Sequence, residues 1–319
     1  MAAPRKLILD VDTGTDDAIA LMLAALHPDL ELVAATTVNG NNPIANCTDN
    51  TLRVFDLLDV DIPVYEGAAT PLLRDDFPIP REILHRDGSM HPRELPIPPP
   101  RSVKQSHAVD FLVETYMATT DPITLVPVGP LTNIALAIKL EPRIVDRIPQ
   151  TVIMGGAHES GNTTPSAEFN VWHDPEAAAI VLGSGVPITM YGLDVFYEPV
   201  IERPDAERLA ASGEPGARLA GQLLLHQLDR FGTGNLGDAG AVAAVIDPAG
   251  LTTAPHRIRV ELAGRYTRGE TVVDRRTWPS SPEHDEFTSG QLPPGVVDVA
   301  FAVDAKGYRR LYLATVARR

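Results

Sequence analysis

The expected fold follows from residues 6–17, which read Lys6-Leu7-Ile8-Leu9-Asp10-Val11-Asp12-Thr13-Gly14-Thr15-Asp16-Asp17. Its apolar first half predicts a buried strand over residues 6–12. Apolar residues then recur at helical spacing up to Pro28, which predicts a helix over residues 16–26. A second apolar run over residues 31–38 completes a strand-helix-strand unit, which indicates a parallel sheet.

The same alternation continues along the chain. Further strands are predicted over residues 62–66, 123–128, 151–154 and 187–191, and further helices over residues 106–118, 131–140 and 175–182. We therefore expect an α/β fold with an open, mostly parallel sheet flanked by helices, similar to the Rossmann fold, with its active site at the C-terminal ends of the strands. Residues 1–319 are expected to form one domain, with a proline-rich, lid-like insertion at about residues 70–100.

Composition narrows the classes of function. The chain has 319 residues, with 27 Lys and Arg against 42 Asp and Glu, so its formal net charge is −15. Nucleic-acid binding is disfavoured because it requires a basic surface. The single cysteine, Cys47, cannot form an internal disulfide, and the first residues lack a signal-peptide apolar core, so we expect a cytoplasmic protein. No apolar run approaches the roughly 20 residues needed to span a membrane.

Four aspartates lie within eight residues, at positions 10, 12, 16 and 17. At the end of a buried strand they would repel one another unless protons or a cation compensated their charge. Carboxylate oxygens favour calcium or magnesium, and zinc is disfavoured because the chain has one cysteine and no paired histidines at zinc spacing. The alternative is that Asp16 and Asp17 only stabilise the start of the helix, where negative charge is favourable.

Several further blocks occur in the order of a known family. The run Asp10–Asp17 resembles the N-terminal signature of the nucleoside hydrolases. The blocks that also resemble this family, in its order and spacing, are Thr36–Asn41, Val126–Ala135, Met154–Gly156, Ala167–Asn170, Asp174–Ala178, Gly192–Asp194 and Asp238. The resemblance implies hydrolysis of the N-glycosidic bond of a ribonucleoside or related N-riboside, giving free base and ribose.

The resemblance also implies roles for individual residues. A calcium ion would be held by Asp12, Asp17, Asp238 and the backbone carbonyl of Val128, and Asp12 would be the general base for the attacking water. The expected substrate contacts are Asp16, Asn41 and Asn170 at the ribose hydroxyls, Asn162 and Glu168 at the 5′ hydroxyl, and Met154 and Phe169 around the sugar. The family further suggests a homodimer or homotetramer.

One position departs from the family pattern. Better-known members have a histidine directly before the third calcium aspartate, and it is assigned to protonating the leaving base, whereas this chain has Gly237. Other residues that could reach the base are His85, which loosely matches a lid histidine of the family, His226 and Trp278. The base preference therefore stays open.

Two alternatives remain from the sequence. The segment Leu9–Thr13 also resembles the first motif of haloacid dehalogenase-type phosphatases, although the chain lacks a convincing later lysine and paired-aspartate motif of that family. A protein that binds ribose or nucleosides without turnover is the other alternative, and Gly237 is the reason to consider it.

Overall fold

Parallel strands form most of the sheet. The computed structural model describes residues 3–73, 92, 94–102, 104–276 and 295–317. The strands in these ranges are β1 (Arg5–Val11), β2 (Leu30–Thr37), β3 (Val64–Glu66), β4 (Ile123–Pro127), β5 (Thr151–Met154), β6 (Ile188–Tyr191), β7 (Leu251–Val260), β8 (Thr271–Val273) and β9 (Gly295–Val303). They form one sheet in the order β3-β2-β1-β4-β5-β6-β9-β7-β8. All neighbouring pairs from β3 to β9 are parallel, and β7 is antiparallel to both β9 and β8.

Helices cover the sheet. Those within the described ranges are α1 (Thr15–Leu26), α2 (Ile44–Leu58), α3 (Ala108–Ala118), α4 (Thr132–Leu140), α5 (Phe169–His173), α6 (Pro175–Leu182), α7 (Leu193–Phe196), α8 (Arg203–Ala210), α9 (Pro215–Phe231), α10 (Ala239–Ile246) and α11 (Ala305–Val316). Short 3₁₀ turns occupy Pro142–Asp146 and Pro248–Gly250. The expected α/β fold is thereby confirmed.

The core has one layer on each face of the sheet. Along β1, Leu7 and Leu9 belong to the layer that includes α1 and α10, whereas Ile8 between them belongs to the layer that includes α3 and α4. This follows from the strand geometry, because successive side chains point to opposite faces. Burial on both faces explains why β1 is a continuous apolar run.

Some elements differ from the sequence-based expectation. The strand predicted at 62–66 is shorter, and α2 was not predicted. The structure also adds the antiparallel unit of β7, β8 and β9 and the C-terminal helix α11. Of the proline-rich insertion, residues 74–91 and 93 lie outside the described residues, and with them His85. No helix in the described part of the chain has the length and apolar character needed to cross a membrane.

Candidate functional site

The β1–α1 turn places the first carboxylates. Because β1 lies between β2 and β4 in the sheet and is parallel to both, its end meets their ends at one edge. The backbone N–H of Asp12 donates to Oδ1 of Asp17 at 3.0 Å, and the N–H of Gly14 donates to Oδ2 of Asp17 at 2.8 Å. Both oxygens of Asp17 therefore accept backbone hydrogen bonds that fix its orientation at the start of α1.

The Asp12 carboxylate lies between two glycines. Its Oδ2 accepts the backbone N–H of Asn41 at 2.5 Å. A Cβ atom added at Gly40 would lie 2.1 Å from Oδ2, and one added at Gly129 would lie 3.0 Å from Oδ1. The loops after β2 and β4 thus need these glycines to approach the carboxylate closely. Oδ1 is buried and has no hydrogen-bond partner within the described ranges.

Three carboxylates converge beside this turn. One oxygen each from Asp16, Asp17 and Asp238 lies within 4.8 Å of the other two. Asp238 lies directly before α10 in the chain and is buried. Burial and then the nearby Asp16 raise the pKa of Asp17 to about 7, while hydrogen bonds from the N–H groups of Gly14 and Asp12 oppose the rise.

The pKa values of Asp238 and Asp12 are also raised. Burial holds the pKa of Asp238 well above its usual value, and the carboxylates of Asp16 and Asp17 add to this rise. Burial and then Asp17 do the same for the pKa of Asp12. The described part of the site therefore concentrates carboxyl groups whose negative charges disfavour one another. Converging carboxylates, together with the buried Oδ1 of Asp12, fit a hard divalent cation with oxygen ligands.

The amide of Asn170 connects two strand ends. Its Nδ2 donates to the carbonyl oxygen of Val128 at 2.8 Å and to that of Met154 at 3.2 Å. These carbonyls follow or end β4 and β5, so Asn170 on α5 ties two loops of the site together. The Val128 carbonyl, which the sequence resemblance assigns to the metal, accepts this hydrogen bond here and retains its second lone pair.

Glu168 is a buried carboxylate bound by backbone groups. It accepts hydrogen bonds from the N–H groups of Gly156 at 3.0 Å, Asn170 at 2.9 Å and Val171 at 3.2 Å. Burial raises the pKa of Glu168 to about 7, although these hydrogen bonds oppose the rise. Nearby, Oδ1 of Asn162 accepts the N–H of Phe169 at 2.9 Å, which places Asn162 beside α5.

A hydrogen-bonded group of polar residues around Asp10 was not predicted from the sequence. Asp10 is buried and accepts hydrogen bonds from Oγ1 of Thr36 at 2.5 Å and Nδ2 of Asn133 at 2.8 Å. Nδ2 of Asn133 also donates to the carbonyl of Thr37 at 2.9 Å, and Oδ1 accepts the N–H of Ala68 at 2.8 Å. Burial raises the pKa of Asp10 to about 7. These residues join the ends of β1 and β2 and the loop after β3 beneath the acidic site.

Tyr197 is another residue that the sequence did not single out. Burial raises its pKa above the usual value, and the carboxylates of Glu168 and Asp16 contribute to the rise, whereas a hydrogen bond with Asn162 lowers it. The side chain therefore lies at the same side of the site as Asn162. The sequence shows only a tyrosine three residues after the block Gly192–Asp194, and this signal is too weak to assign a role.

Two candidate side chains, and the glycine that stands where the family pattern has a histidine, bear on protonation of the leaving base. His85 and Trp278 lie outside the described residues. Gly237 has a φ of +56°, and an added Cβ would lie 2.9 Å from Cβ of Asp16 and 3.1 Å from Cζ of Phe196. A larger side chain at position 237 would therefore require Asp16 or Phe196 to move, which agrees with glycine at this position.

Residues 7–310 match the family described as inosine-uridine preferring nucleoside hydrolase. The chain belongs to this family. The pyrimidine-specific ribonucleoside hydrolase RihB of Escherichia coli O157:H7 is 39% identical over 278 residues, which cover 85% of this chain and 87% of RihB. This nucleoside hydrolase family member is therefore an N-glycosyl hydrolase, and the match decides against the phosphatase alternative.

Solved structures of nucleoside hydrolases have the same fold. A purine-preferring ribonucleoside hydrolase from Gardnerella vaginalis has a TM-score of 0.83 and 30% identity, with 98% of each chain covered. The plant nucleoside hydrolase PpNRh1 has a TM-score of 0.84 and 28% identity, covering 99% of this chain and all of its own. The names of these relatives differ in base preference, so family membership does not identify the base that this chain releases.

Proposed function

We propose that this chain hydrolyses the N-glycosidic bond of ribonucleosides with a calcium ion as its cofactor. The observation that carries the proposal is the convergence of Asp16, Asp17 and Asp238 within 4.8 Å, beside Oδ1 of Asp12, which is buried and has no hydrogen-bond partner among the described residues. Asp12, Asp17, Asp238 and the Val128 carbonyl would hold the ion. When bound, calcium would lower the pKa of a coordinated water and orient the ribose hydroxyls.

Asp12 is the general base in this proposal. Its Oδ2 is held by the N–H of Asn41, so Oδ1 is the oxygen left to accept a proton from the attacking water. The position of Asp12 between Gly40 and Gly129 restricts the carboxylate to one orientation. Such alignment supplies several kcal/mol of barrier reduction in enzymes generally.

The remaining site residues would bind the sugar. Asp16, Asn41 and Asn170 are proposed to contact the ribose hydroxyls. Asn162 and Glu168 would bind the 5′ hydroxyl, with Met154 and Phe169 lining the pocket. Cleavage of an N-ribosyl bond develops positive charge on the ribose, as in glycosidases, and the buried carboxylates stabilise that charge electrostatically. Gly237 supplies no side chain to protonate the base, so the donor is either another residue or solvent.

The direct test is a panel of purine, pyrimidine and modified nucleosides assayed for reducing sugar with calcium present. We expect base release from at least one of them, and Asp12→Asn should lower kcat by about 10² to 10⁴, the usual contribution of a general base. A rate equal to wild type in Asp12→Asn would contradict the base assignment. Calorimetric nucleoside binding with no base release over hours would instead support the binding-protein alternative.

Two further expectations accompany this proposal. We propose a homodimer or homotetramer, which light scattering on the purified protein would measure, and a cytoplasmic location, in keeping with the single cysteine. A monomer at micromolar concentration would contradict the expected assembly without affecting the assignment of the site.

A further inference from the structure

A polar face of α2 contacts the turn that carries Asp12. Sγ of Cys47 donates to the backbone carbonyl of Asp12 at 3.2 Å. Nδ2 of Asn50 donates to the carbonyl of Thr13 at 3.1 Å, and Oγ1 of Thr51 lies 2.6 Å from Oγ1 of Thr13. Cys47, Asn50 and Thr51 are fully buried. Their spacing of three and four residues places them on one side of the helix.

These contacts supply hydrogen bonds to two backbone carbonyls that have no partner strand in the sheet. β1 ends at Val11, so the carbonyls of Asp12 and Thr13 lie beyond its strand pairing. Buried carbonyls require hydrogen-bond donors, and α2 supplies them from Cys47 and Asn50. The same contacts fix the backbone of the turn relative to the sheet.

We propose that Asn50 and Thr51 are positioning residues for the metal and water site at Asp12, although they touch neither ion nor substrate. This inference rests on the proposed function of that site. The Asp12 carboxylate has little room, because Gly40 and Gly129 approach both of its oxygens. A shift of the turn by a fraction of an ångström would therefore misplace Oδ1, and residues that support metal ligands commonly change metal affinity 10- to 100-fold when replaced.

The same helix also holds the segment formed by residues 94–97. Oδ1 of Asn50 accepts the N–H of Leu95 at 3.0 Å. Arg53, one turn further along α2 and 7% exposed, donates to the carbonyl of Ile97 at 2.8 Å and to Glu94 at 3.2 Å. The Asn50 side chain thus bridges this segment and the Asp12 turn with its two ends. Release of the segment would remove the hydrogen bond that Leu95 donates to the Asn50 amide.

A matched pair of threonines tests the proposal. Oγ1 of Thr51 donates to the Cys47 carbonyl at 2.8 Å and contacts Thr13, which belongs to the Asp12 turn. Oγ1 of Thr48 donates to the Ile44 carbonyl at 3.0 Å in the same manner, but its second contact is Oγ1 of Thr37 at 2.8 Å. Thr51→Val and Thr48→Val therefore remove equivalent buried hydroxyl groups from one helix, and only the first loses a contact to the turn.

The full-length variants would be compared by calcium titration calorimetry, by kcat and KM on the best nucleoside of the panel, and by thermal unfolding. We expect Thr51→Val to weaken calcium binding and lower kcat by at least tenfold, whereas Thr48→Val changes both by less than about threefold. Thr51→Ser, which retains the hydroxyl, should restore both values. Asn50→Ala should reproduce the loss seen in Thr51→Val.

Equal calcium affinity and equal kcat in Thr51→Val and Thr48→Val, with both variants folded, would overturn the positioning role. Failure of Thr51→Ser to restore the values would also overturn it, because the hydroxyl would then not be the cause. Base release by a wild-type protein that binds no calcium would overturn only the metal assignment of the proposed function. In that case the ratio of kcat between the two valine variants still decides the positioning role.

Discussion

Replacing Asp238 by asparagine should make the metal-free protein more stable and should remove its stabilisation by calcium. Asp238 shares the acidic cluster with Asp16 and Asp17, and an oxygen of each lies within 4.8 Å of the others. Two unit charges at that distance repel by about 3.5 kcal/mol at an effective dielectric constant of about 20. Asparagine has nearly the same shape and carries no charge, so both repulsions of Asp238 disappear.

Proton binding limits the size of this gain. The folded wild-type protein can avoid the repulsion by keeping the Asp238 carboxyl protonated, since its pKa is well above the ordinary value of 3.8. At pH 8, holding that proton costs at most about 6 kcal/mol, because each pH unit above the ordinary pKa corresponds to about 1.4 kcal/mol. We therefore expect Asp238→Asn to raise the free energy of unfolding by about 2 to 6 kcal/mol in chelator.

Calcium should narrow this difference in stability. At a free concentration 100 times its dissociation constant, the ion would stabilise the wild type by about 2.7 kcal/mol, and Asp238→Asn by much less, because a ligand is missing. The assay is urea denaturation at pH 8, with chelator or with calcium. The control is Asp247→Asn, which changes the aspartate after the other end of α10. The reasoning is refuted if Asp238→Asn is less stable than wild type in chelator, or if calcium stabilises both proteins equally.

Two further predictions concern Asp12 and Glu168. Gly40→Ala should lower kcat/KM at least 100-fold, because its Cβ would lie 2.1 Å from Oδ2 of Asp12, whereas Gly213→Ala, with open space around its Cβ, should keep wild-type kinetics. An unimpaired Gly40→Ala enzyme would contradict the close approach. The pKa of Glu168 is raised to about 7 in the folded protein, so the folded state binds an extra proton between about pH 4.5 and 7. Stability of the metal-free protein should therefore fall by about 3 kcal/mol from this group as pH rises through that range, and denaturation curves showing rising stability would contradict the prediction.

The parallel part of the fold could be predicted because its signals are local. Strands buried on both faces are continuous apolar runs, and the helices between them have apolar residues at helical spacing. The two-layered core around β1 follows from that pattern. Helix α2 was missed although Leu52, Val54, Phe55 and Leu58 in its second half are buried. The buried positions of its first half are filled by Cys47, Thr48, Asn50 and Thr51, which an apolar pattern does not mark.

The C-terminal strands also have a weak local signal. β7 is mostly exposed or half-buried along its length, and β8 has only three residues. Their place in the sheet depends on the antiparallel pairing of β7 with β9, whose partner residues are more than 30 positions apart in the chain. Pairing between distant residues is not encoded by the periodicity of either strand alone.

Local sequence was enough to predict clustered aspartates after a buried strand and motifs in the nucleoside hydrolase order. Tertiary structure alone decided which oxygens meet. Asp238 lies more than 220 residues after Asp16 in the sequence, and α10 brings it within 4.8 Å. The support that α2 gives to the Asp12 turn likewise exists only after folding, because hydrogen bonds between distant segments depend on packing that local sequence patterns do not specify.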